Sequence, residues 1–440
     1  MKSILIDGFN LGLEKGTGVA TYARNLSYCT RNLNYKTSVL YDAQRGPKKV
    51  PLLQEVYFFD PHEDKSGSWD SVGRFMKEGI ASFLPTHARP VEISGAVISK
   101  QYQSRLPYFD QIISSPDVFS KAQRHFWKTE RIWPSRLKVT TKEKPDIAHW
   151  TYPIPLRMAG ANNLYTLHDL VPLRLPFTTL DRKRVYYKMC RLLAHQADHI
   201  VTVSETSRND IINLLGVPEE KVTNTYQAVE IPEKYASKDE DLVRREVKGS
   251  FNLDYKEYMM FFGAIEPKKN VGRLIEAYQT TNIDTPLVIV GKLAWEAEQE
   301  LSYINDEAIS HLEQVGSSFY RRKKIIQLDY APFPVLVSLI KGAKAVCFPS
   351  LYEGFGLPVL EAMKLGTPVL TATTGSLPEV AGDAALMVDP YDTRAISEGI
   401  VALDSNPELR AKLSALGKKQ ADLFSMDAYE KRMAELYEKI

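Results

Sequence analysis

Residues 348–370 read FPSLYEGFGLPVLEAMKLGTPVL: a strand end, a glycine loop and a helix in immediate succession. The run KAVCFPS (344–350) predicts a buried strand that delivers the chain to the carboxyl edge of a sheet. PVLEAMKLG (358–366) predicts a short helix that Pro358 opens and Gly366 stops. Gly354 and Gly356 carry no side chain, so a ligand can come close to their backbone N–H groups. A helix N-terminus beside such a loop is an anion site suited to phosphate. Glu361 follows about one turn into the helix, roughly 5 Å along its axis. A carboxylate there is placed to accept hydrogen bonds from sugar hydroxyls. With Glu353 at the head of the loop, the stretch could hold a sugar in the loop, a pyrophosphate at the helix start and a ribose on Glu361; the alternative is that the glycines only make a turn and the glutamates are solvated.

The flanking sequence supplies the sheet that such a loop needs. YMMFFGAIE (258–266), PLVIVG, KKIIQLD, TPVLTAT and AALMVDP read as strands, and NVGRLIEAYQ and FPVLVSLIKGA as helices between them. The N-terminal half has the same grammar. SILIDG and KTSVLYD are strands around the helix GVATYARNLSYCTRNL, on which Val19, Tyr22, Leu26 and Cys29 share a face. PDIAHW (145–150), NLYTLHD (163–169) and DHIVTVS (198–204) continue the series, and SRNDIINLLG is a helix closed by Gly216. Strand–helix alternation means α/β with parallel sheets. A chain of 440 residues exceeds one hydrophobic core. The polar stretch 233–250 reads as the boundary. The expected division is residues 1–238, residues 239–424, and a helix over 425–440 packing back on the first domain. Two doubly wound halves place ligands in the cleft between them, off the carboxyl ends of the strands.

Composition narrows the functional classes. Hydrophobic content of 44% and charged content of 25% are those of an ordinary globular protein. A net charge of +2 gives no global pointer to nucleic acid. The three cysteines, Cys29, Cys190 and Cys347, form no CxxC pair, which argues against a disulfide framework or zinc site. MKSILIDGFNLG is too short an apolar run for a signal peptide, and no run approaches the ~18 apolar residues of a membrane span. A cytoplasmic location is expected.

Taken together, Glu353 and Glu361, the surrounding PSLYEGFGLPVLEAMKLGTPVL and the following TGSLPEVAGDAALMVDPYD resemble the retaining nucleotide-sugar glycosyltransferases of family 4. The resemblance is specific across 258–400 and weaker over the N-terminal half. It implies the GT-B fold, two Rossmann-like domains facing each other across a cleft, the first binding acceptor and the second the nucleotide-sugar. By that resemblance Glu361 holds the donor ribose and Glu353 contacts the donor sugar. The backbone of Gly354, Phe355, Gly356 and Leu357 meets sugar and phosphate. GAIEPKKN (263–270) matches the family's basic loop, with Lys268 and Lys269 on the diphosphate; Ala264 stands where many members have arginine. EKGTGVAT (14–21) matches the first N-domain loop, with Gly16 and Gly18 as backbone donors. YTLHDLVPLRLP (165–176) matches the HD segment, with His168 on the donor sugar and Asp169 beside it. In SETSRNDI, Ser204 and Arg208 are candidates for the cleft. The catalytic set is then His168, Lys269 and Glu353.

The chemistry implied is departure of a nucleoside diphosphate, with its charge stabilised by loop amides and lysines in the manner of an oxyanion hole. No DxD motif stands in a convincing place, so no metal and no cofactor is expected. His195 and His199 have i, i+4 spacing, but Asp198 ends the helix between them, so they are not read as a metal pair. The branch most resembled contains bacterial mannosyl- and rhamnosyltransferases of surface polysaccharide assembly. This favours a GDP-sugar donor and a saccharide or lipid-linked saccharide acceptor. The alternatives are a UDP-sugar donor, or an inactive sugar-nucleotide-binding protein of the same fold. An epimerase needs its own acid–base pair and a phosphorylase a pyridoxal-phosphate lysine with its motif, and neither is found. Finally, residues 120–144 carry eight basic side chains against Glu130 and Glu143, interleaved with Phe126, Trp127 and Trp133. Such a mix suits an anionic membrane surface, at the inner face of the cytoplasmic membrane.

Overall fold

The computed structural model describes residues 2–11, 18–42, 85–92, 107–129, 135–141, 143–294, 310–315 and 318–440. The first sheet contains β1 (Ser3–Asp7), β2 (Lys36–Tyr41), β3 (Thr86–Val91), β4 (Gln111–Ser114), β5 (Ser135–Val139), β6 (Ile147–Trp150), β7 (Leu156–Met158), β8 (Asn162–Thr166), β9 (His199–Thr202) and β10 (Val222–Asn224). Their order is β10-β9-β8-β6-β1-β2-β4-β3-β5-β7. All these pairings are parallel except β3 with β4. β1 lies at the centre, between β2 and β6, which is why its Ile4, Leu5 and Ile6 are apolar without alternation and almost wholly buried.

The second unit follows the same rule. It contains β11 (Met259–Phe262), β12 (Leu287–Val290), the hairpin β13 (Ser310–Val315) and β14 (Ser318–Lys323), then β15 (Ile325–Leu328), β16 (Ala345–Phe348), β17 (Val369–Ala372) and β18 (Leu386–Val388). Six of these strands form a parallel sheet in the order β15-β12-β11-β16-β17-β18. The two sheets are the two Rossmann-like halves of a GT-B architecture. Among the described residues, no helix is long and apolar enough to cross a membrane.

The polar stretch 233–250 is not an open linker. It folds as helices Glu233–Ala236 and Glu240–Phe251, the second capped by Asp239, whose carboxylate accepts from Leu242 N at 2.6 Å. Only Val243 and Val247 of that helix are buried, so its other residues read as polar. The helix Met426–Glu438 lies on the first half, against helix Gly18–Asn32. There the Tyr437 hydroxyl meets His149 Nδ1 at 2.7 Å, and Lys2 Nζ donates to the Tyr437 carbonyl at 3.1 Å. The chain therefore passes between the halves twice, near Tyr226 and again near Phe424.

On the first sheet, helix Gly18–Asn32 buries Tyr22, Leu26 and Cys29, while Val19 is left partly exposed. Helices Val118–Thr129 and Lys183–Gln196 share a separate cluster, in which Phe119 and Phe126 join Val185, Met189 and Leu193. Helix Lys183–Gln196 ends before His199, which begins β9. His195 and His199 bond to the Leu215 carbonyl and to Thr223, respectively.

Candidate functional site

β16 ends at Phe348, and the chain turns through Glu353–Gly356 into helix Leu357–Lys364 at the carboxyl edge of the second sheet. Gly356 has φ +104°, the left-handed region that glycine tolerates, and Pro358 sits in the first turn. The backbone N–H groups of Phe355, Gly356 and Leu357 make no hydrogen bond among the described residues. They are the orphan donors of a helix start, open to an anion. The Phe355 side chain does not face that anion. It is buried against Tyr226 and Phe424, with ring centroids 6.4 and 5.5 Å away.

The basic loop meets this turn directly. Leu351 N donates to the Lys268 carbonyl at 2.8 Å, and Asn270 Nδ2 donates to the carbonyls of Pro349 and Pro390 at 3.0 and 2.7 Å. Asn270 adopts φ +60° to turn the loop back. Lys269 Nζ lies 2.6 Å from Glu353 Oε1 and 5.0 Å from the centroid of the Phe348 ring. Lys268 Nζ lies 3.4 Å from Glu266 Oε1. Burial works to raise the pKa of Glu353, but Lys269 and Lys268 outweigh it and hold the carboxyl below its usual range. Burial likewise opposes charge on Lys268, yet Glu353, Asp169 and Glu266 keep it cationic. The pair therefore stays ionised in a site where a bare charge is costly.

Glu361 stands in contrast. Its carboxylate makes no hydrogen bond and no ion pair among the described residues. Burial alone raises its pKa from 4.5 to about 7. A half-buried, unpartnered acceptor on the helix that begins at the anion site is a group waiting for ligand hydroxyls.

The opposing wall comes from the carboxyl edge of the first sheet. His168 follows β8, and its Nε2 lies 2.9 Å from the Thr151 carbonyl. A carbonyl only accepts, so Nε2 carries the proton and Nδ1 is left as a bare acceptor. Burial lowers the imidazole pKa and keeps the ring neutral. The Tyr22 ring packs edge-on at 4.8 Å. Thr151 is itself fixed by Asp7 at the end of β1: Asp7 Oδ2 accepts from Thr151 N, and Oδ1 accepts from Phe9 N at 3.2 Å. Burial pushes Asp7 up to about 6. Asp7 and Thr151 thus orient His168 from three strand ends, a role that strand-type sequence reading misses; the only signal was a carboxylate closing an apolar run.

The two walls nearly touch. A methyl group on Gly354 would lie 2.7 Å from Asp169 Cβ and 2.9 Å from the His168 carbonyl. One on Gly18 would lie 3.2 Å from Leu357 Cδ1. Beside this contact is a cleft of about 290 Å³, lined by His168, Asp169 and Asp181 from the first half and Glu266 and Lys268 from the second. Asp181 and Glu266 are therefore site residues beyond those the sequence singled out.

The halves are also pinned along one seam. Glu379, from the second half, accepts from Glu205 N and Thr206 N at 2.9 and 3.0 Å, across the start of helix Glu205–Leu215. Asp210 of that helix is gripped by Arg174 and by the hydroxyl of Tyr352. Ser204 caps the same helix through Ser207 N. Arg208 does not reach the cleft; its guanidinium binds the Val222 carbonyl at 3.0 Å and Glu219 at 2.7 Å. Of the residues singled out above, the structure brings His168, Gly18, Lys268, Lys269, Glu353, Gly354, Phe355, Gly356, Leu357 and Glu361 to the two facing edges. Gly16 lies outside the described residues.

Comparison with known proteins agrees with this geometry. The family described as "Glycosyl transferases group 1" matches residues 243–420, and "Glycosyltransferase Family 4" matches residues 95–231. The chain is similar to O-antigen chain mannosyltransferase B of Escherichia coli, 34% identical over 62% of this chain and 69% of the relative. It is also similar to O-antigen chain mannosyltransferase RfbU of Salmonella typhimurium, 25% identical over 76% and 89%. Among solved structures, Anabaena HepE in complex with UDP-glucose superposes with a TM-score of 0.62 at 13% identity, over 100% of both chains. The chain belongs to glycosyltransferase family 4, and it is a glycosyltransferase enzyme of GT-B fold.

Proposed function

We propose that the enzyme transfers a hexosyl group, mannose first, from a GDP-sugar to a saccharide or lipid-linked saccharide acceptor in surface polysaccharide synthesis, with retention at the anomeric carbon. The observation that carries the reading is the juxtaposition of unpaired helix-start amides, the Lys269–Glu353 pair and the unpartnered Glu361 along one edge of the cleft. The amides take the diphosphate, Glu361 the ribose, and Glu353 with the bare Nδ1 of His168 the sugar hydroxyls. In transfer, the anomeric carbon's bond to the diphosphate oxygen breaks. A bond to the acceptor oxygen forms on the same face, and the acceptor proton passes to the departing phosphate. Lys268, Lys269 and the amides stabilise the charge that develops there; no cation is needed in this scheme.

Mannose is supported by the two O-antigen mannosyltransferases. A UDP-sugar donor is the second reading, favoured by the UDP-glucose complex of HepE. Membrane contact through residues 120–144 is supported by Trp127, 54% exposed beside buried Phe126, with Lys121 and Arg124 also facing solvent. Trp133 lies outside the described residues. The deciding experiment incubates the enzyme with GDP-mannose, other GDP-hexoses and UDP-sugars and measures released nucleotide. Turnover of GDP-mannose above all others is expected. Release from UDP-sugars alone overturns the donor assignment, and release from none overturns catalysis.

A further inference from the structure

The cleft has a mouth whose outward-facing side chains have no role in the reaction as described. It is formed by residues 176–182, where Thr178, Thr179, Leu180 and Asp181 line the cleft together with His168. Here two large apolar side chains point away from any core: Phe177 is 65% exposed and Leu180 is 72% exposed. The chain then enters helix Lys183–Gln196, which buries Val185, Met189, Cys190, Leu193 and Ala194. Its outward face carries Arg184 and Arg191, two turns apart, with Arg182 just before the helix. The guanidinium groups of these three exposed arginines make no hydrogen bond or ion pair among the described residues. Residues 176–196 hold five basic side chains and a single acidic one, Asp181. A protein that needed only solubility would not set unpaired arginines beside two bare apolar side chains at the edge of a ligand cleft. That combination fits a surface with anionic heads over an apolar interior.

We infer that residues 176–191 are a second membrane-docking element, which seats the mouth of the cleft on an anionic bilayer. This rests on the membrane contact proposed above and extends it. Helices Val118–Thr129 and Lys183–Gln196 pack into one apolar cluster on the same sheet, so Trp127 and the Phe177–Leu180 loop belong to one layer of the protein. Phe177 and Leu180 enter the interface, and Arg182, Arg184 and Arg191 meet lipid phosphates. A lipid-linked acceptor then reaches His168 from the bilayer side without leaving the membrane.

The test is co-sedimentation of the full chain with vesicles of phosphatidylcholine alone and with added phosphatidylglycerol. The parent binds only the anionic vesicles. Arg182→Gln/Arg184→Gln/Arg191→Gln weakens that binding on the order of a hundredfold. Phe177→Ser/Leu180→Ser weakens it without changing its salt dependence. Nucleoside diphosphate affinity, measured by calorimetry, stays at the parent value in the arginine variant. Lys121→Gln/Arg124→Gln separates the two elements: if it abolishes binding while the arginine triple binds like the parent, the second element is refuted and the first stands. Equal binding to neutral and anionic vesicles, or none to either, refutes both; turnover of a water-soluble acceptor tests the transferase reading separately.

Discussion

Replacing Glu361 with Gln should make the empty protein more stable and its nucleotide complex weaker. Glu361 has no partner, and burial raises its pKa from 4.5 to about 7. Because the folded pKa lies above the unfolded one, folding favours the neutral acid. The associated stability is whole below about pH 4.5 and is lost as pH rises to about 7. At 1.36 kcal/mol per pH unit, the rise from 4.5 to about 7 sets a ceiling of about 3.4 kcal/mol. The carboxylate is only half-buried, and solvent reduces the value to about 1–2 kcal/mol. Gln cannot ionise, so at pH 8 Glu361→Gln should unfold several degrees above the parent, at roughly 2–4 °C per kcal/mol. At pH 4.5 the two should coincide. Adding nucleoside diphosphate should reverse the order at pH 8, since hydroxyls bond a carboxylate more strongly than an amide by about 1 kcal/mol per bond. Scanning calorimetry at both pH values, with and without GDP, measures all four states. Unchanged stability at pH 8 combined with unchanged GDP affinity would refute both the burial argument and the ribose assignment.

Three further outcomes are expected. Lys269→Ala should lower turnover at saturating donor by at least tenfold and destabilise the fold by about 3 kcal/mol, because it strands Glu353 as a buried unpaired charge; turnover within twofold of the parent refutes the role. Gly354→Ala should leave the thermal unfolding of the second half intact but block approach of the halves at His168 and Asp169, seen as lost transfer with retained nucleotide binding; a fully active variant shows that the contact is not part of the working state. Chelation with EDTA should leave turnover unchanged, since lysines and amides neutralise the departing phosphate; restoration by magnesium after a loss refutes this.

The second half was the more legible. Its strands are apolar throughout because the sheet is covered on both faces, and the 348–370 stretch carries its punctuation in Gly354, Gly356, Pro358 and Gly366. Glu353 and Glu361 flank that one turn, and Lys269 reaches Glu353 from the loop after β11. The first half hides its site in contacts between distant strand ends. Asp7 reaches Thr151, and Thr151 reaches His168, over separations that no local pattern encodes. Stretch 233–250, read as the domain boundary, is helical over Glu240–Phe251, which its composition hides because that helix buries only Val243 and Val247. Glu379 is invisible for a similar reason: it caps a helix of the other half, 174 positions from Glu205. Arg208 reads as a cleft residue from its neighbourhood, but Val222 and Glu219 claim it.

The placement of helix Met426–Glu438 fixes an order of assembly. It covers Tyr22 and His149 of the first half, with Tyr429 and Tyr437 wholly enclosed. During synthesis the first sheet is complete once residue 224 has emerged, yet the flank of helix Gly18–Asn32 at Tyr22 and the neighbouring His149 lack their cover while some two hundred further residues are made. The second half can close before that happens. The first half of the enzyme is therefore finished after the second, although it is encoded first. A nascent chain stalled before residue 426 would present a closed second half beside an open apolar surface on the first, which makes it a substrate for chaperones rather than a working transferase.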